Sequence, residues 1–262
     1  MTTVASYLAN FLSDQGITHI FGLPGGENVP VVEAIRQAGI EFVLVHHEAA
    51  AGFAADVTGQ LTDQPGVCLS TVGPGAVNLV AMAASATLER SPMLAITAVI
   101  DSTIRPHVTH MKADLHDLFG AACKRSIIVT AETAVSDIHT AWELAKTAPR
   151  GAVHLGISPE VAMQLTSSQL PKPLNTAQIP LAQQKGFGNL KLWLETSKRP
   201  FLIAGVGIEA AAAQDELLAL VETWQIPVAV TPKTKGHFPE SHPLFAGCFT
   251  AYGDNPLRQA LS

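Results

Sequence analysis

Short, almost wholly apolar runs alternate with longer segments of helical period along the first 160 residues. The runs predict strands at residues 17–23, 41–45, 67–72, 93–99, 126–129 and 152–156. Strands that are apolar on both faces are typical of a parallel sheet, because helices then cover each side of it. The pattern therefore predicts an α/β fold, with an open parallel sheet and helices on both faces.

A second, shorter α/β pattern follows a change in composition. Residues 161–186 contain prolines and glutamines without a strand or helix period, which predicts an exposed linker. Beyond it, one strand–helix–strand unit is followed by a loop-rich segment that completes no sheet. We therefore expect a complete α/β domain at 1–160, a linker at 161–186 and an incomplete Rossmann-like α/β domain at 187–262.

Composition excludes several classes of partner. Hydrophobic residues make up 47% of the chain, charged residues 15%, and the net charge is −6 without a basic stripe, so no nucleic-acid partner is expected. No apolar run reaches the length of a membrane span, and the N-terminus lacks a signal-peptide pattern. The three cysteines are scattered in apolar runs, which is typical of reduced thiols. We expect a cytoplasmic protein without a membrane partner, and the low charge predicts a homodimer or homotetramer.

One acidic residue stands out. Glu48 is the only acid between residues 43 and 55, at the junction of a predicted strand and a helix of small residues. Burial at such a junction disfavours the charged form of a carboxyl. Two interpretations are open: a carboxylate stabilised by the helix dipole, or a working acid or base.

Three junctions of this kind follow predicted strands. They are Pro-Gly-Gly at 24–26, His-His-Glu at 46–48, and Gly-Pro-Gly at 73–75 with Asn78. In an open parallel sheet the carboxyl ends of the strands form the edge where ligands bind. Glycines there allow a ligand to approach the backbone. The three junctions together with one acid predict a ligand site more specifically than any one of them.

Longer runs carry a resemblance to a known family. Phe-Gly-Leu-Pro-Gly-Gly at 21–26, His-Glu-Ala-Ala-Ala at 47–51 and Ser-Thr-Val-Gly-Pro-Gly-Ala-Val-Asn-Leu at 70–79 resemble the pyrimidine-binding domain of thiamine diphosphate enzymes. The group that they resemble contains acetolactate synthases, pyruvate oxidases and 2-keto acid decarboxylases. Residues 199–207, 226–228 and 235–244 are similar to the middle domain of the same family.

The resemblance implies thiamine diphosphate as cofactor and a 2-keto acid as substrate. It implies acetolactate synthase-like carboligation or decarboxylation through a C2 ylide and an enamine, with Glu48 as the catalytic carboxyl that bonds N1′ of the aminopyrimidine. The residues implied to bind the cofactor are Pro24, Gly25, Gly26, Thr71, Gly73, Pro74, Gly75 and Asn78. The residues implied to line the substrate pocket are Glu27, His46, His47 and Met111.

Three departures from the family pattern leave an alternative open. Val-Thr-Gly-Gln at 57–60 replaces the family's Gly-Tyr-Ala-Arg, Met111 stands where a glutamine is common, and His46 replaces an arginine. The alternative is a catalytically silent or split subunit, whose partner chain would carry the diphosphate and Mg²⁺ site. The Gly-Asp-Gly…Asn motif that holds Mg²⁺ is not found in the 262 residues. We therefore expect no metal ligands here and a Mg²⁺ site in a further C-terminal domain, with FAD in the middle domain as an open option.

Two weaker patterns favour ordinary explanations. Residues 101–117 hold several histidines and aspartates without a compact ligand spacing, which favours a polar surface loop over a metal cluster. Gly-Val-Gly at 205–207 follows a predicted strand and is close to a dinucleotide fingerprint. Thr231 stands where that fingerprint requires an acid, so NAD binding is not predicted.

Overall fold

A computed structural model describes residues 2–62, 64–101, 103–166 and 184–250. The chain divides into two compact units, one within residues 1–179 and one within residues 180–262. The predicted linker at 161–186 lies largely outside the described residues, so the predicted domain boundaries stay a prediction.

Strands and helices alternate in the first unit. Its strands are β1 (Thr2–Thr3), β2 (His19–Gly22), β3 (Glu41–Leu44), β4 (Gly66–Ser70), β5 (Met93–Ala98), β6 (Arg125–Ile128), β7 (Ala152–Ile157) and β8 (Leu165–Thr166). Its helices are α1 (Val4–Asp14), α2 (Val29–Gln37), α3 (Glu48–Thr62), α4 (Pro74–Glu89), α5 (Leu115–Ala122), α6 (Ala134–Lys146) and α7 (Pro159–Met163). Short 3₁₀ turns occur at Gly26–Asn28 and Arg105–His107.

Six strands form one parallel sheet in the order β3-β2-β4-β5-β7-β6. All residues of β4, β5 and β7 are buried, whereas β3 and β6 at the two edges are partly exposed. The apolar runs in the sequence have this cause, since the central strands are covered on both faces. The predicted α/β class and the parallel sheet are confirmed.

The sheet separates two apolar layers. On one face α1, α2 and α6 pack through buried side chains such as Leu8, Ile35 and Trp142. On the other face α3, α4 and α5 pack through smaller residues, with Ala55, Leu79 and Phe119 buried. Because the second layer contains so many alanines, its helices approach each other closely, and α3 and α4 run side by side.

The predicted polar loop at 101–117 is shorter in the structure. Helix α5 begins at Leu115, and the Asp114 side chain accepts a hydrogen bond from the backbone N–H of Asp117 as its N-cap. A helix of eight residues shows barely two turns of apolar period, so the sequence pattern does not reveal it.

The second unit contains a sheet that the sequence pattern did not predict in full. Its helices are α8 (Gln184–Thr196), α9 (Gly207–Ala210) and α10 (Gln214–Trp224), and its strands are β9 (Leu202–Ala204), β10 (Val228–Val230) and β11 (Phe245–Cys248). The strands are parallel in the order β11-β10-β9. The expectation of two strands was too low, because β11 is a short, half-buried edge strand without alternation.

Within the described ranges of both units, no helix is long and apolar enough to cross a membrane.

Candidate functional site

A crevice is expected at the carboxyl ends of β2 and β4. These strands are hydrogen-bonded neighbours, but the chain leaves them in opposite directions along the sheet. From β2 it continues through α2 to β3, and from β4 it continues through α4 to β5. Open parallel sheets bind ligands at such a reversal. The first and third predicted junctions border this reversal, and the second follows β3 beside it.

The loop after β2 is held by a buried amide. The Asn28 side chain, 2% exposed, accepts a hydrogen bond from the Gly25 N–H at 2.9 Å and donates one to the Leu23 carbonyl at 3.3 Å. Pro24 and Gly26 are exposed. The buried amide thus fixes the backbone of the loop that carries Pro-Gly-Gly.

Thr71, the first residue after β4, lies between two glycines. A Cβ atom at Gly25 would stand 2.6 Å from Thr71 Oγ1, and a Cβ atom at Gly75 would stand 3.0 Å from Thr71 Cγ2. The Thr71 hydroxyl donates a 2.7 Å hydrogen bond to Glu27 Oε2. The glycines at 25 and 75 are therefore required by close packing around one threonine.

Glu48 is the first residue of α3 and is buried. Its Oε2 accepts a hydrogen bond from Asn78 Nδ2 at 3.0 Å, and its Oε1 lies against Gly75, where an added Cβ would stand 2.8 Å away. The position at a helix N-terminus favours a negative charge. The carboxyl, the amide and the glycine thus come together from α3 and α4.

His46 and His47 are both exposed before Glu48. His47 Nδ1 accepts a hydrogen bond from the Ala49 N–H at 3.1 Å, in the manner of an N-cap. A ring nitrogen that accepts carries no proton, so the remaining proton of the neutral ring is on Nε2.

Met111 is brought to this edge by the loop after β5. Gly73 has φ of 66° and Met111 has φ of 56°, and a Cβ atom at Gly73 would stand 2.8 Å from Met111 Cβ. The left-handed conformation is uncommon for a residue with a side chain. Met111 is 44% exposed and lies against Gly73, the residue that precedes α4.

The other departures from the family pattern lie farther along α3. Val57 is half exposed. Gln60 Nε2 donates a 2.9 Å hydrogen bond to the buried Asp56 carboxyl. Gly59 packs against the Pro92 carbonyl, where an added Cβ would stand 2.2 Å from the oxygen.

Two residues that sequence reasoning did not single out also help to build the site. Ser70 Oγ would stand 3.2 Å from a Cβ atom at Gly75, and Asn28 fixes the first loop. Asn28 could have been noticed, since it stands three residues after Gly25, in the position from which a Glu or Gln side chain bonds the first N–H of a capping box. In the part of the chain that the structure describes, no group of three or more His, Cys, Asp or Glu side chains is arranged to hold a metal ion.

Comparison with known proteins decides the family. Residues 2–118 match the family model for the N-terminal TPP binding domain of thiamine pyrophosphate enzymes, and residues 190–262 match the model for their central domain. The chain belongs to the thiamine pyrophosphate enzyme family. The two matches follow each other in the order that the resemblance predicts.

Several curated relatives of this thiamine pyrophosphate enzyme chain are named acetolactate synthases. A probable acetolactate synthase large subunit from Methanocaldococcus jannaschii is 32% identical over 98% of the chain and 45% of the relative. The acetolactate synthase large subunit of Corynebacterium glutamicum is 33% identical over 94% of the chain and 40% of the relative. Acetolactate synthase from Arthrospira platensis is 35% identical over 94% of the chain and 44% of the relative. The chain spans less than half the length of these relatives.

Proposed function

We propose that this chain is the N-terminal part of a thiamine diphosphate-dependent enzyme that acts on 2-keto acids, with Glu48 as its catalytic carboxyl. The observation that carries the proposal is the contact of Glu48 Oε1 with Gly75, where any side chain would stand against the acid. A buried carboxyl at the ligand-binding edge of the sheet suits a flat heterocycle with a weakly basic nitrogen. The pyrimidine of thiamine diphosphate is such a ring.

The hydrogen-bonding groups of the crevice support this ligand. Glu48 and Glu27 offer carboxylate oxygens, and the Thr71 oxygen offers lone pairs because its hydrogen is donated to Glu27. An acceptor-rich crevice suits a ligand with N–H donors and positive charge. An aminopyrimidine joined to a thiazolium has both.

When bound, thiamine diphosphate supplies a nucleophilic carbon and an electron sink for carbon–carbon bond cleavage and formation. In our proposal Glu48 shares a proton with the pyrimidine ring nitrogen, while Asn78 holds the carboxyl at the correct angle. Gly25, Gly26, Gly73 and Gly75, with Pro24 and Pro74, let the ring approach the backbone. Thr71 separates the two acids.

Glu27, His46, His47 and Met111 are proposed to face the substrate. The relatives named acetolactate synthases favour carboligation of two 2-keto acids over simple decarboxylation. Met111 presents a polarisable apolar side chain, so it would pack against an alkyl part of the substrate. The silent or split subunit remains the rival hypothesis, and the experiment below separates the two.

Further cofactors are proposed outside the Glu48 crevice. We propose that Mg²⁺ and the diphosphate are held by residues beyond the matched pyrimidine domain. FAD in the central domain is supported only by the family match and by a cleft of about 410 Å³ bordered by β9, Gly205 and α10. An absorbance spectrum of the purified protein near 450 nm tests the flavin directly.

The oligomeric state is also a proposal. An outer ridge of α3 exposes Phe53, Val57 and Leu61, and Leu88 at the end of α4 is 81% exposed. Exposed apolar surface of this extent is typical of a subunit interface, which supports a homodimer or homotetramer. Cys68 and Cys123 are buried thiols, and this supports the proposed cytoplasmic location. The domain limits 1–160 and 187–262 belong to the same proposal.

The test uses protein made from the complete gene, with thiamine diphosphate, Mg²⁺ and pyruvate. Carbon dioxide release and acetolactate formation are measured for the wild type, for Glu48→Gln and for the exposed control Glu41→Gln. Removing an acid–base group lowers turnover roughly 10²- to 10⁴-fold, so Glu48→Gln should be nearly inactive, and Glu41→Gln should match the wild type.

Two results would overturn the proposal. Wild-type turnover in Glu48→Gln removes the assignment of the acid. A wild type without calorimetric binding of thiamine diphosphate, and without turnover of any 2-keto acid, supports the silent subunit instead. Binding that appears only after a second chain is added identifies the split enzyme.

A further inference from the structure

We propose that Glu27 and Thr71 form a proton relay that serves the reacting oxygen of the substrate, an inference that rests on the proposed function. The two residues come from the loops that follow the neighbouring strands β2 and β4. The Thr71 hydroxyl donates to Glu27 Oε2 at 2.7 Å. Thr71 is the only hydrogen-bond partner that the described residues provide for the Glu27 carboxyl.

The relay follows from the number of hydrogen-bond donors and acceptors on Thr71 and Glu27. A threonine hydroxyl has one hydrogen and two acceptor lone pairs. While Glu27 is ionised, that hydrogen is committed to Glu27, and Thr71 can only accept from a ligand. When Glu27 carries a proton, Glu27 donates to Thr71 Oγ1, and the threonine hydrogen becomes free to be donated to a ligand. The charge of Glu27 thus decides whether Thr71 accepts or donates.

The relay lies beside the proposed catalytic carboxyl. A Cβ atom at Gly75 would stand 3.0 Å from Thr71 Cγ2 and 2.8 Å from Glu48 Oε1, so Thr71 and Glu48 border the same glycine. Glu48 Oε2 is held by Asn78, whereas Glu27 is held through Thr71. Two carboxyls in different surroundings can take different acid–base roles in one reaction. Glu48 would serve the cofactor ring and Glu27 the substrate.

The proton transfer balances without a further reactant. A substrate hydroxyl gives its proton to a lone pair of Thr71 Oγ1, while the proton that Thr71 already carries passes to Glu27 Oε2. One O–H bond of the substrate breaks, one O–H bond forms on Glu27, and the electron pair stays on the substrate oxygen. In reverse, a carbonyl oxygen that gains negative charge takes the Thr71 proton, and Glu27 replaces it. The relay fits a substrate with a ketone or hydroxyl oxygen at the reacting carbon.

Other titratable groups on the neighbouring elements must be kept apart from Glu27 in any measurement. Glu48 begins α3, and His46 and His47 precede it. On α2, which follows the turn that carries Glu27, Glu33 and Arg36 form an exposed ion pair of 2.7 Å. Strand β5, which packs against the same turn, has no titratable side chain. Variants at positions 27 and 71 leave all of these groups unchanged.

The first experiment compares Glu27→Gln, Thr71→Val and Thr71→Ser in the holoenzyme made from the complete gene. Glutamine can still accept the Thr71 hydrogen but cannot store a proton, and valine keeps the shape of threonine without its hydroxyl. We expect kcat to fall roughly 10²-fold in Glu27→Gln and Thr71→Val. The limb of the kcat–pH profile that the relay produces in the wild type should be missing from both variants. Thr71→Ser should keep the limb and most of the turnover. The double variant should lose no more than either single one, because the two groups act as one unit.

The second experiment measures the hydrogen bond between Glu27 and Thr71 by NMR, without cofactor or turnover. In the chain labelled with ¹³C at the glutamate carboxyls, the resonance that Glu27→Gln removes belongs to Glu27. Its titration midpoint should move in Thr71→Val and stay in place in Thr71→Ser. An unchanged midpoint in Thr71→Val overturns the hydrogen-bonded pair itself.

The two proposals can fail separately. If Glu48→Gln is inactive while Glu27→Gln keeps the wild-type kcat and pH profile, the proposed function stands and the relay is wrong. If the wild type neither binds thiamine diphosphate nor turns over any 2-keto acid, the proposed function falls and the relay in its catalytic role falls with it, whatever the carboxyl resonance shows.

Discussion

Gly75 lies so close to the Glu48 carboxyl that a methyl group at position 75 would stand 2.8 Å from Oε1. Stabilisation by the dipole of α3 requires no contact with a residue of another helix. The helix dipole acts along the α3 axis, whereas Gly75 belongs to α4. This relationship favours the second of the two interpretations that the sequence left open for Glu48.

Substitution of Gly75 by alanine should therefore displace the Glu48 carboxyl. The added methyl group would contact Glu48 Oε1, Thr71 Cγ2 and Ser70 Oγ, and overpacking of this kind costs about 1–3 kcal/mol. We expect thiamine diphosphate affinity to fall at least roughly tenfold, a loss of about 1.4 kcal/mol. Calorimetric titration of the holoenzyme made from the complete gene measures this.

Gly120→Ala is the matched control, because nothing lies within 4 Å of a Cβ atom at Gly120. It lies in α5, where alanine favours the helix. The Gly120→Ala variant should bind thiamine diphosphate with the affinity of the wild type. Wild-type affinity in Gly75→Ala would contradict the proposed position of the pyrimidine ring.

Asn78 should orient Glu48 through its 3.0 Å hydrogen bond to Oε2. Asn78→Ala removes a hydrogen bond to a charged group, which is worth about 1.5–3 kcal/mol when buried and less where the donor is exposed. We expect turnover to fall while the chain remains folded. Asn78→Asp should be worse above neutral pH than at pH 5, because two ionised carboxyls would then face each other. Pyruvate turnover across this pH range checks both, and identical profiles for the two variants would contradict an orienting role.

The α/β class and the parallel sheet could be predicted from the sequence, because both depend on local patterns. Apolar runs revealed the buried strands, and the junction at Glu48 revealed where one strand ends and a helix begins. The hydrogen bond between Thr71 and Glu27 could not be predicted. It joins side chains 44 positions apart and depends on how β2 and β4 pair.

The small residues of α3 and α4 show the limit of pattern reasoning in another way. Such residues allow helices to approach closely, either within one chain or between two subunits. In the structure Ala51, Ala55, Ala83 and Ala86 are buried within one chain, and a Cβ atom at Gly52 would stand 2.4 Å from Met82 Cβ. Composition alone cannot distinguish a helix contact within one chain from a helix contact between two subunits.

The exposed ridge of α3 is the better candidate for an interface between subunits. Val57 and Leu61 lie one turn apart and are 51% and 81% exposed. We expect Val57→Lys and Leu61→Lys together to convert a dimer into monomers at micromolar concentration, because each buries a charge at the contact. Met163→Lys is the control, since Met163 is 62% exposed elsewhere in the first unit. Sedimentation velocity distinguishes the species, and an unchanged coefficient in the double variant would rule out this ridge.

His154 should make the stability of the first unit depend on pH. It is fully buried on β7, its ring is stacked on Phe119 with centroids 3.9 Å apart, and its nitrogens bond Thr97 Oγ1 at 2.9 Å and Ser126 Oγ at 2.8 Å. Burial, and to a smaller extent the charge of His116, lowers the pKa of His154 to about 3. The unfolded chain, with an ordinary pKa near 6.5, therefore binds the proton more strongly than the folded chain.

The sign of the effect follows from this difference. The contribution of His154 to stability is complete above about pH 6.5 and is lost as the pH falls from there towards 3. Between pH 7.5 and 4.5 the loss is about 2–3 kcal/mol, since each pKa unit is worth about 1.4 kcal/mol. Urea unfolding at several pH values measures it. His154→Gln should be less stable at pH 7.5 but should lack this share of the pH dependence, while the exposed His107→Gln keeps it; equal slopes in wild type and His154→Gln would mean that carboxyl groups, and not this histidine, govern the acid transition.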